Sequence, residues 1–557
     1  MYDLLKTTMT MTMKVANCIG GYVLLTVLTL SVVKARDPAV HDNFLKCLKQ
    51  NTETASEELS KIVFAQNNPS FTTVLQNLAR NKRFKTPMTP KPLLIVTPLV
   101  ESHVQGAVMC AKTAKLQMRI RSGGHDYEGI SYVSKEPFMI LDMSKLNAIT
   151  IDVKEEVAVV QAGATTGELY YRIWEKSKVH GFSAAVCPTV GLGGHISGGG
   201  YGNMLRSFGL TVDNVIDAKI VDVKGNLLDK KGMGEDLFWA IRGGGGASFG
   251  VVVSFTIKLL PVPEKVTIFR TEKSWDDKTA DFVLGWQKIA SVTDKRLFMR
   301  LVLQAEGKTL KATIVALFLG GADEVVSLMG KEFPVLGLKK ENCSEVSWIE
   351  SVLWWNDPKS LENGEKAEIL LDRKPNNSGF LKRKSDFIKK SISKEGWETI
   401  FESIVELGKT GIILNPYGGR MDEIAPDATP FPHRKGNMFK VQYTVNWVDP
   451  SVEADRNYTK QVKKLFNVMT PYVSKNPRGA FFCYRDIDIG LNSFGQNSYK
   501  EGKVYGTKYF KSNFDRLVKI KTAVDPQNFF RNEQSIPVLS AANASTHSFY
   551  ISFQGKF

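Results

Sequence analysis

The fifteen residues from Pro188 to Gly202 read PTVGLGGHISGGGYG and contain seven glycines, with Cys187 directly before them. Glycine loses more conformational freedom on folding than any other residue, so such a dense cluster has a free-energy cost that another interaction must offset. The usual reason is that main-chain N–H groups approach a bulky anionic group closely. This run therefore predicts a binding site for a large anionic ligand, with a thiol at its edge.

Common glycine motifs do not explain the run. The dinucleotide motif needs glycines at i, i+2 and i+5 after a strand, and the third position is Ile196 in this run and Ser248 in the second run, Gly243 to Gly246. Neither run contains the Gly-Lys-Ser/Thr of a P-loop. Residues 246–250, GASFG, match the G-x-S-x-G elbow of hydrolases. The predicted order there is helix, glycines, strand, which is the reverse of what that elbow requires.

Composition sets broad limits on the class of protein. The chain has 557 residues, 43% of them apolar and 23% charged, which is typical of a globular protein with two or three domains. The net charge of +16 comes from scattered basic residues, which predicts a solvated basic surface rather than a nucleic-acid site. Such a surface would also suit retention on an acidic polysaccharide. The seven histidines follow no metal-ligand spacing, so no metal site is predicted.

Residues 1–35 have the pattern of a signal peptide. Two lysines precede an apolar run, residues 15–33, and a small-residue cleavage pattern follows at residues 33–35. A membrane anchor is the alternative, but the run is short for one and contains Asn17. We expect a secreted protein that has no membrane span after cleavage.

Secretion changes how the cysteines are interpreted. Removal of the leader leaves five, an odd number, so at least one thiol is unpaired or otherwise engaged; they are Cys47, Cys110, Cys187, Cys343 and Cys483. Four N-x-S/T sequons are candidate glycosylation sites; they are Asn342, Asn376, Asn457 and Asn543.

The strand and helix patterns predict an α+β fold with two main parts. Residues 36–263 alternate short strands, rich in β-branched residues, with short helices. From residue 264 to 477, strands alternate with longer amphipathic helices, which indicates a second domain built on an antiparallel sheet. Residues 478–537 contain a helical pattern and are predicted to return to the first domain. Residues 538–557 form a tail without assignment.

Seven motifs carry a resemblance to a known family. In this order the chain contains RSGGHDYEG, CPTVGLGGHISGGGYG, DNVIDAKIVD, GEDLFWAIRGGGGASFGVV, NPYGGRMDEI, YRDIDIG and VDPQNFFRNEQSIP. Together they resemble the plant berberine bridge enzyme-like oxidases, flavoproteins of the vanillyl-alcohol oxidase and p-cresol methylhydroxylase type, from about Phe44 to Pro537. The resemblance implies a two-part FAD-binding domain, an antiparallel-sheet substrate domain and a C-terminal segment that returns to the FAD-binding domain.

The resemblance also implies a cofactor that is attached twice. In the family, FAD is bonded to the histidine of RSGGHD and the cysteine of CPTVG, which are His125 and Cys187 here. A thiolate and a neutral imidazole are side chains able to add to an electron-poor ring. The neighbouring glycines are expected to donate main-chain N–H groups to the pyrophosphate. The other expected flavin-contacting residues are Ser122, Gly123, Gly124, Val190, Gly191, Gly193, Gly194, His195, Gly198, Gly199 and Gly200.

The same resemblance assigns the remaining cysteines. Cys47 and Cys110 match the family's N-terminal disulfide, and Cys343 is left over. Cys483 is left over too, and it departs from the family, which usually has asparagine before Tyr-Arg-Asp. The hydrogen bonds that an amide would make there are therefore not expected in this chain.

For catalysis the resemblance indicates Tyr484 as the base. A phenol titrates near pH 10, so a base that works near neutrality needs its pKa lowered by about 3 units, and Lys440 or Arg485 is the candidate cation. Lys440 and Gln442 match active-site residues of alcohol-oxidising members, and Tyr127 and Tyr201 match further active-site tyrosines. The alternative for either tyrosine is an aromatic side chain that only packs.

These assignments predict a secreted FAD-dependent oxidase. Gln442 replaces the glutamate of the alkaloid-cyclising founder, which favours alcohol oxidation, and Val190 resembles members that react with oxygen. The expected substrates are a monolignol-type alcohol or a cell-wall oligosaccharide, with oxygen reduced to hydrogen peroxide. The alternatives are an oxidase of alkaloids, cyanohydrins or terpenophenolics, or a non-enzymatic cell-wall flavoprotein. We expect a monomer in the cell wall or apoplast, with the vacuole as the alternative, and no nucleic-acid partner.

Overall fold

The computed structural model describes residues 38–276, 278–374 and 378–539. The α-helices of this part of the chain are α1 (Pro38–Gln50), α2 (Ser56–Ser60), α3 (Phe71–Asn77), α4 (Glu101–Thr113), α5 (Thr166–Lys176), α6 (Leu192–Ser197), α7 (Leu205–Phe208), α8 (Lys230–Ile241), α9 (Thr279–Ile289), α10 (Ala322–Glu332), α11 (Trp348–Asn356), α12 (Lys394–Leu407), α13 (Arg420–Glu423), α14 (Val452–Val468), α15 (Ser498–Phe510) and α16 (Asn513–Val524). Short 3-10 helices span Lys82–Phe84, Met143–Lys145, Thr211–Asn214, Gly246–Ser248, Pro334–Leu336, Lys340–Asn342, Ala367–Leu371, Phe482–Tyr484 and Ile487–Ile489.

The strands of the same residues are β1 (Val63–Ala65), β2 (Leu94–Val96), β3 (Gln117–Arg121), β4 (Phe138–Asp142), β5 (Ile149–Asp152), β6 (Val157–Gln161), β7 (His180–Gly181), β8 (Val215–Val221), β9 (Leu227–Leu228), β10 (Val251–Lys258), β11 (Leu260–Pro261), β12 (Val266–Ser274), β13 (Leu297–Glu306), β14 (Thr309–Phe318), β15 (Cys343–Val346), β16 (Phe380–Ile388), β17 (Gly411–Pro416) and β18 (Phe439–Trp447).

The first half of the described chain builds two main sheets. β1-β2-β4-β3 form one of them, with β2, β4 and β3 parallel and β1 antiparallel. Strand β4 reads FMILD and is buried along its whole length, as expected for a parallel strand that is covered on both faces. β5-β6-β10-β8-β9 form an antiparallel sheet, and β7 pairs with β11. Within this region β5 pairs with β6 and β8 pairs with β9, each as an antiparallel hairpin.

The second half builds a larger antiparallel sheet, as the sequence predicted. Its order is β15-β12-β14-β13-β17-β18-β16. Helices α9, α12 and α14 cover one face, and Trp286, Trp397 and Leu465 lie in the core between them. The amphipathic pattern of these helices is the feature of the sequence that predicts a helical layer packed on an antiparallel sheet. The other face of the sheet is turned toward the first half of the chain.

The C-terminal segment returns to the first half, which confirms the predicted return. Tyr505, Phe514 and Leu517 of α15 and α16 share one hydrophobic core with Trp239 of α8. The helical pattern is interrupted at Lys511, whose φ of 46° separates the two helices. The predicted domain boundaries, residues 263 and 477, stay predictions.

One disulfide confirms a prediction. Cys47 of α1 and Cys110 of α4 are bonded, with an S–S distance of 2.07 Å and a Cα–Cα distance of 5.8 Å. Among the described residues, the free thiols are those of Cys187, Cys343 and Cys483.

Several predicted features lie outside the described residues. These are the leader of residues 1–35, the sequons at Asn376 and Asn543, and the tail from residue 540 onward. The other two sequon asparagines, Asn342 and Asn457, are exposed. Within the described ranges, no helix has the length and hydropathy needed to cross a membrane. No cluster of metal-ligating side chains occurs in the same ranges either.

Candidate active site

A cavity of about 950 Å³ lies between the two halves of the molecule. One wall comes from residues 122–127 and 186–198, and we call it the glycine wall. The opposite wall is formed by Arg300 of β13, Arg383 of β16 and Gln442 of β18, and we call it the strand wall. The segment 481–485 closes the cavity between these two walls. The volume is within the range of about 300–1,000 Å³ that ligand and cofactor pockets occupy.

The glycine wall consists of two chain segments that touch through their backbones. A Cβ atom on Gly123 would lie 2.3 Å from the backbone nitrogen of Gly191, and one on Gly191 would lie 2.1 Å from that of Gly123. No side chain fits between these segments. Part of the glycine density therefore serves backbone-to-backbone packing, whereas the sequence had indicated contact with a ligand alone.

The two expected attachment residues lie close together on this wall. The hydroxyl oxygen of Thr189 is 2.9 Å from His125 Nε2 and 3.7 Å from Cys187 Sγ. Arg80 Nη1 donates to the Thr189 hydroxyl at 2.5 Å and lies 3.0 Å from His125 Nε2. Burial lowers the pKa of His125 well below its usual value, and the Arg80 charge lowers it further. His125 is therefore a neutral imidazole, which is the form able to act as a nucleophile.

Other predicted flavin residues divide into two groups. The cavity is lined by Ser122, Gly123, Gly124, Val190, Gly191, Gly193, Gly194, His195 and Gly198. At Gly194 a Cβ atom would meet no atom within 4 Å, so this backbone is open to a ligand. Gly199 and Gly200 do not line the cavity. They form a turn in which Gly200 has a φ of +62° and a Cβ there would lie 2.5 Å from Thr211 Oγ1.

His195 holds the backbone of the glycine wall. The N–H of Ala185 donates to His195 Nε2 at 3.1 Å, so that nitrogen carries no proton. Burial lowers the pKa of His195 to about 3, and the imidazole stays neutral. Since Ala185 also lines the cavity, this hydrogen bond fixes part of the cavity wall.

Three tyrosines meet at the cavity. The hydroxyl groups of Tyr201 and Tyr484 are in hydrogen-bonding contact. The ring centroids of Tyr127 and Tyr484 are 5.7 Å apart. Gln442 Nε2 donates to the Tyr127 hydroxyl at 3.1 Å. The structure thus brings all four of these predicted catalytic residues together, and all four line the cavity.

Lys440 lies behind this group rather than in the cavity lining. Its side chain is fully buried, and Nζ is 2.9 Å from the ring centroid of Tyr201 and 4.5 Å from that of Tyr484. No hydrogen-bond partner within the described part of the chain reaches Nζ. Burial lowers the pKa of Lys440 well below its usual value, so an uncharged amine is favoured there.

The expected lowering of the Tyr484 pKa is not found. Burial raises this pKa well above 10, and the neighbouring tyrosines raise it further. Arg485, one candidate cation, is directed elsewhere: its guanidinium lies 4.7 Å from the Phe482 ring and donates to Asn532. The physical reason is the burial of both side chains, which penalises a phenolate and an ammonium alike.

Cys483 occupies the position where the family usually has asparagine. Its thiol donates to the backbone oxygen of His195 at 3.6 Å, and burial raises its pKa to about 11. A Cβ atom on Gly198 would lie 2.6 Å from this sulfur. The thiol therefore packs against the glycine wall at Gly198. It makes one weak hydrogen bond, whereas an asparagine amide could make several.

Sequence reasoning missed four further residues of the site, which are Arg80, Thr189, Arg300 and Arg383. Arg80 and Thr189 contact His125, and Arg383 lies 5.7 Å from the Tyr127 ring centroid. Thr189 lies inside the CPTVG motif, so the sequence could have identified it as a residue of the site. Arg80 and Arg383 are single residues outside any glycine motif, and nothing in their local sequence marks them.

Comparisons with known proteins agree with this geometry. A family model described as FAD binding domain matches residues 92–230, and one described as berberine and berberine like matches residues 480–537. Berberine bridge enzyme-like 21 of Arabidopsis thaliana is 56% identical over 512 residues, which cover 90% of this chain and 94% of that protein.

Solved structures are similar as well. BBE-like 28 from Arabidopsis thaliana has a TM-score of 0.84 and 42% identity, covering 90% of this chain and 100% of that one. Phl p 4, described as a grass pollen allergen with glucose dehydrogenase activity, has a TM-score of 0.83 and 42% identity, covering 89% and 100%. An isoleucine-to-valine variant of Phl p 4 is described as a glucose oxidase.

The fold and the FAD-binding match define the class: the protein is an FAD-linked oxidoreductase. The extent of identity to its relatives is more specific, and the chain belongs to the berberine bridge enzyme-like family.

Proposed function

We propose that the protein is a secreted oxidase of hydroxyl-bearing carbons, with FAD bonded to both His125 and Cys187. When bound, FAD supplies the acceptor for a hydride and passes the electrons to oxygen, which gives hydrogen peroxide. The observation that carries the proposal is that the Tyr201–Tyr484 hydroxyl contact opens onto the cavity that His125 and Cys187 also line. A proton acceptor and the attachment residues therefore share one enclosed space.

The residues of the glycine wall fit a doubly attached flavin. The neutral imidazole and the thiol both contact the Thr189 hydroxyl, so a single ring placed there could be reached by both. The open backbone at Gly194, in the first turn of helix α6, suits close approach of the diphosphate. This supports FAD in the cavity, and the covalent bonds are part of the proposal.

Tyr484 is the proposed acceptor of the substrate hydroxyl proton. Burial holds its pKa high, so an isolated phenolate would be costly. Lys440, 4.5 Å from the Tyr484 ring, offers compensation because a proton gained by its neutral amine would place a positive charge beside the phenolate. Ionising the two groups together costs less than ionising either alone. Tyr201 shares the Tyr484 hydroxyl contact and orients that phenol.

The strand wall orients the substrate. Gln442 donates to the Tyr127 hydroxyl, and Arg383 lies across the Tyr127 ring, so this ring is held in one place. A fixed aromatic face with hydrogen-bonding groups at its edge suits a sugar ring or a phenylpropenol. The description of Phl p 4 as acting on glucose favours the reducing end of a cell-wall oligosaccharide over a monolignol-type alcohol.

Reaction with oxygen is proposed from Val190. This residue lies three positions after Cys187 and lines the cavity. The isoleucine-to-valine variant of Phl p 4, a dehydrogenase that becomes an oxidase, shows that so small a change can decide the acceptor in a relative. A valine at the position where the family controls oxygen access therefore supports an oxidase.

The proposed location is the cell wall or apoplast, with the vacuole as the alternative. It rests on the signal-peptide pattern of residues 1–35 and on the exposed sequon asparagines Asn342 and Asn457. The basic surface, with a net charge of +16, would favour retention on acidic polysaccharide.

Anaerobic bleaching of the flavin absorbance tests the activity. We expect reducing oligosaccharides to bleach the flavin, and air to restore the colour with one peroxide formed per flavin. The matched alditols, which lack the reducing-end hemiacetal, should leave the colour unchanged. Bleaching by coniferyl-type alcohols alone would transfer the assignment to monolignols. A flavin that no alcohol or sugar bleaches would contradict the oxidase and favour the non-enzymatic alternative.

A further inference from the structure

Four buried charged side chains, together with the partly exposed side chain of Asp488, form a cluster behind the strand wall. Lys382 Nζ contacts Glu128 Oε1 and lies 3.1 Å from Asp486 Oδ1 and 3.2 Å from Asp488 Oδ2. Lys384 Nζ contacts Asp486 Oδ2 and lies 3.1 Å from Asp488 Oδ2. We call these residues, Glu128, Lys382, Lys384, Asp486 and Asp488, the buried ionic cluster.

Four of the five side chains are shielded from solvent, whereas that of Asp488 is 23% exposed and lies at the rim of the cluster. The side chains of Glu128 and Lys382 are 1% and 2% exposed, and those of Lys384 and Asp486 are each 3% exposed. Burial raises the pKa of Glu128 to about 7, although Lys382 opposes the shift. The surrounding carboxylates raise the pKa of Lys382 enough to outweigh its own burial.

Such a cluster is a poor source of stability. Charges lose their hydration on burial, and apolar side chains of similar volume often stabilise a protein equally well. Removal of one partner, in contrast, leaves an uncompensated charge. An arrangement of this kind is better suited to fixing the relative position of chain segments than to adding stability.

The segments that the cluster joins are those that carry the active-site residues. Glu128 directly follows Tyr127, in the loop that also contains His125. Asp486 lies two residues after Tyr484, and its backbone N–H donates to the Tyr509 hydroxyl at 3.1 Å. Both carboxylates meet on the Nζ atom of Lys382, although they are far apart in the chain.

The two lysines also flank a residue of the strand wall. Side chains alternate between the faces of a strand, so Lys382 and Lys384 lie on the opposite face of β16 from Arg383. Arg383 lies over the Tyr127 ring on the cavity side. Strand β16 thus contacts the Tyr127 loop through both faces of the strand, with Arg383 on one face and Lys382 on the other.

Helix α14 closes the cluster on the outside. Lys463 Nζ lies 3.2 Å from Asp488 Oδ1, and Asp455 accepts from Arg83 Nε at 2.5 Å. Arg83 in turn lies 3.8 Å from Glu128 Oε2. These contacts restrict the cluster from the solvent side and leave its members few alternative partners.

We propose that the buried ionic cluster is the positioning device of the active site, with Glu128 and Asp486 as positioning residues that hold the His125–Tyr127 loop against the Tyr484 segment. The proposal rests on the proposed function, because it concerns the same reaction. The distance between Tyr484 and a substrate on the strand wall then depends on ion pairs that touch neither. A misplacement of about 1 Å from such a remote change can lower a rate by about 100-fold.

The test compares Glu128→Gln and Asp486→Asn with the matched variant Asp213→Asn. Asp213 also forms a buried ion pair, with Arg434 at 2.7 Å, and neither residue lines the cavity. We expect the two cluster variants to lower the rate constant of flavin reduction by about 10- to 100-fold while the substrate concentration for half-maximal rate changes less than about twofold. Asp213→Asn should leave both values within about twofold of the wild type at a similar loss of thermal stability.

Conservative replacement adds a second measurement that does not depend on folding losses. Lys382→Arg keeps the charge and should recover most of the rate that Lys382→Met loses. If Lys382→Met does not fold, the rate constants of flavin reduction in Lys382→Arg and Glu128→Gln still test the positioning role. Equal rates in Glu128→Gln and the wild type, or an equal loss in Asp213→Asn, would overturn the positioning role.

A substrate-independent measurement separates this proposal from the proposed function. The visible circular dichroism of the bound flavin depends on the protein groups around the ring, so it should change in Glu128→Gln and not in Asp213→Asn. If no substrate reduces the wild-type flavin, the proposed oxidase fails, whereas the dichroism still tests the cluster. Identical spectra for Glu128→Gln and the wild type would reject the cluster proposal on their own.

Discussion

On the glycine wall, His125 and Cys187 lie in two continuous segments whose backbones touch, whereas on the strand wall Arg300, Arg383 and Gln442 come from three separate strands. The first wall is made mainly of main-chain atoms in a fixed path. The second is a set of single side chains placed by sheet register. Cofactor handling is therefore built into local backbone geometry, and substrate handling depends on side chains that can change one at a time without altering the fold.

The largest effect is expected when the two attachment residues of the glycine wall are removed. We expect the double variant His125→Ala/Cys187→Ala to release all its flavin on acid precipitation, while the wild type keeps its yellow colour in the pellet. Each single variant should retain one attachment and a coloured pellet, because the other residue still reaches the ring. The absorbance of pellet and supernatant measures this. Free flavin from the wild type would contradict the double attachment.

The next largest effect should come from Tyr484, whose ring centroid lies 5.7 Å from that of Tyr127. Tyr484→Phe removes the proposed proton acceptor, so the rate constant of flavin reduction should fall by about 10²–10⁴-fold, with the flavin content unchanged. Tyr417→Phe is the matched control, since the Tyr417 hydroxyl is buried, lies outside the cavity lining and has no hydrogen-bond partner among the described residues. Equal rates in Tyr484→Phe and the control would exclude Tyr484 as the base.

Two glycines separate the packing role of the glycine wall from its ligand role. Gly123→Ala forces a Cβ atom to within 2.3 Å of the Gly191 nitrogen, so the free energy of unfolding should fall by about 1–3 kcal/mol or more. Gly194→Ala meets no atom within 4 Å and lies in helix α6, so it should fold at least as well as the wild type. Its methyl group should instead obstruct flavin binding and lower the flavin content. Urea unfolding and the flavin-to-protein absorbance ratio measure the two effects, and equal stability of the two variants would contradict the division of roles.

How much the sequence could predict follows from this construction. The glycine wall was predictable because its glycines lie directly beside His125 in one short segment and shortly after Cys187 in another. Thr165 begins α5 with a capping box, which is also a local pattern. The position of Arg383 over Tyr127 was not predictable, because it depends on the register between β16 and β18 and on a loop about 250 residues earlier. The expected lowering of the Tyr484 pKa was wrong for a similar reason, because the burial that raises this pKa depends on the assembled core.

A pH series tests the neutral histidine of the glycine wall. The folded-state pKa of His195 is lowered to about 3 from an ordinary 6.5, so the unfolded chain binds a proton first as the pH falls. This contribution to stability is complete above pH 6.5 and is lost progressively as the pH falls from 6.5 toward 3. Between pH 7 and pH 5 the wild type should lose about 2 kcal/mol more than His195→Gln, which cannot be protonated. Urea unfolding of both proteins at the two pH values measures the difference, and parallel losses would show that His195 is not neutral in the folded state.

The smallest expected effect concerns the strand wall. Gln442→Leu removes the hydrogen bond to the Tyr127 hydroxyl but no main-chain contact, since β18 keeps its pairing with β16 and β17. One hydrogen bond is worth about 1 kcal/mol net, so the rate constant of flavin reduction should fall by about fivefold. Tyr127→Phe removes the other half of the same bond, and the double variant should lose little more than either single one if the bond is the whole effect. Stopped-flow reduction of the four proteins completes the cycle. Additive losses would mean that Gln442 of the strand wall and Tyr127 of the glycine wall contact the substrate independently rather than as one hydrogen-bonded pair.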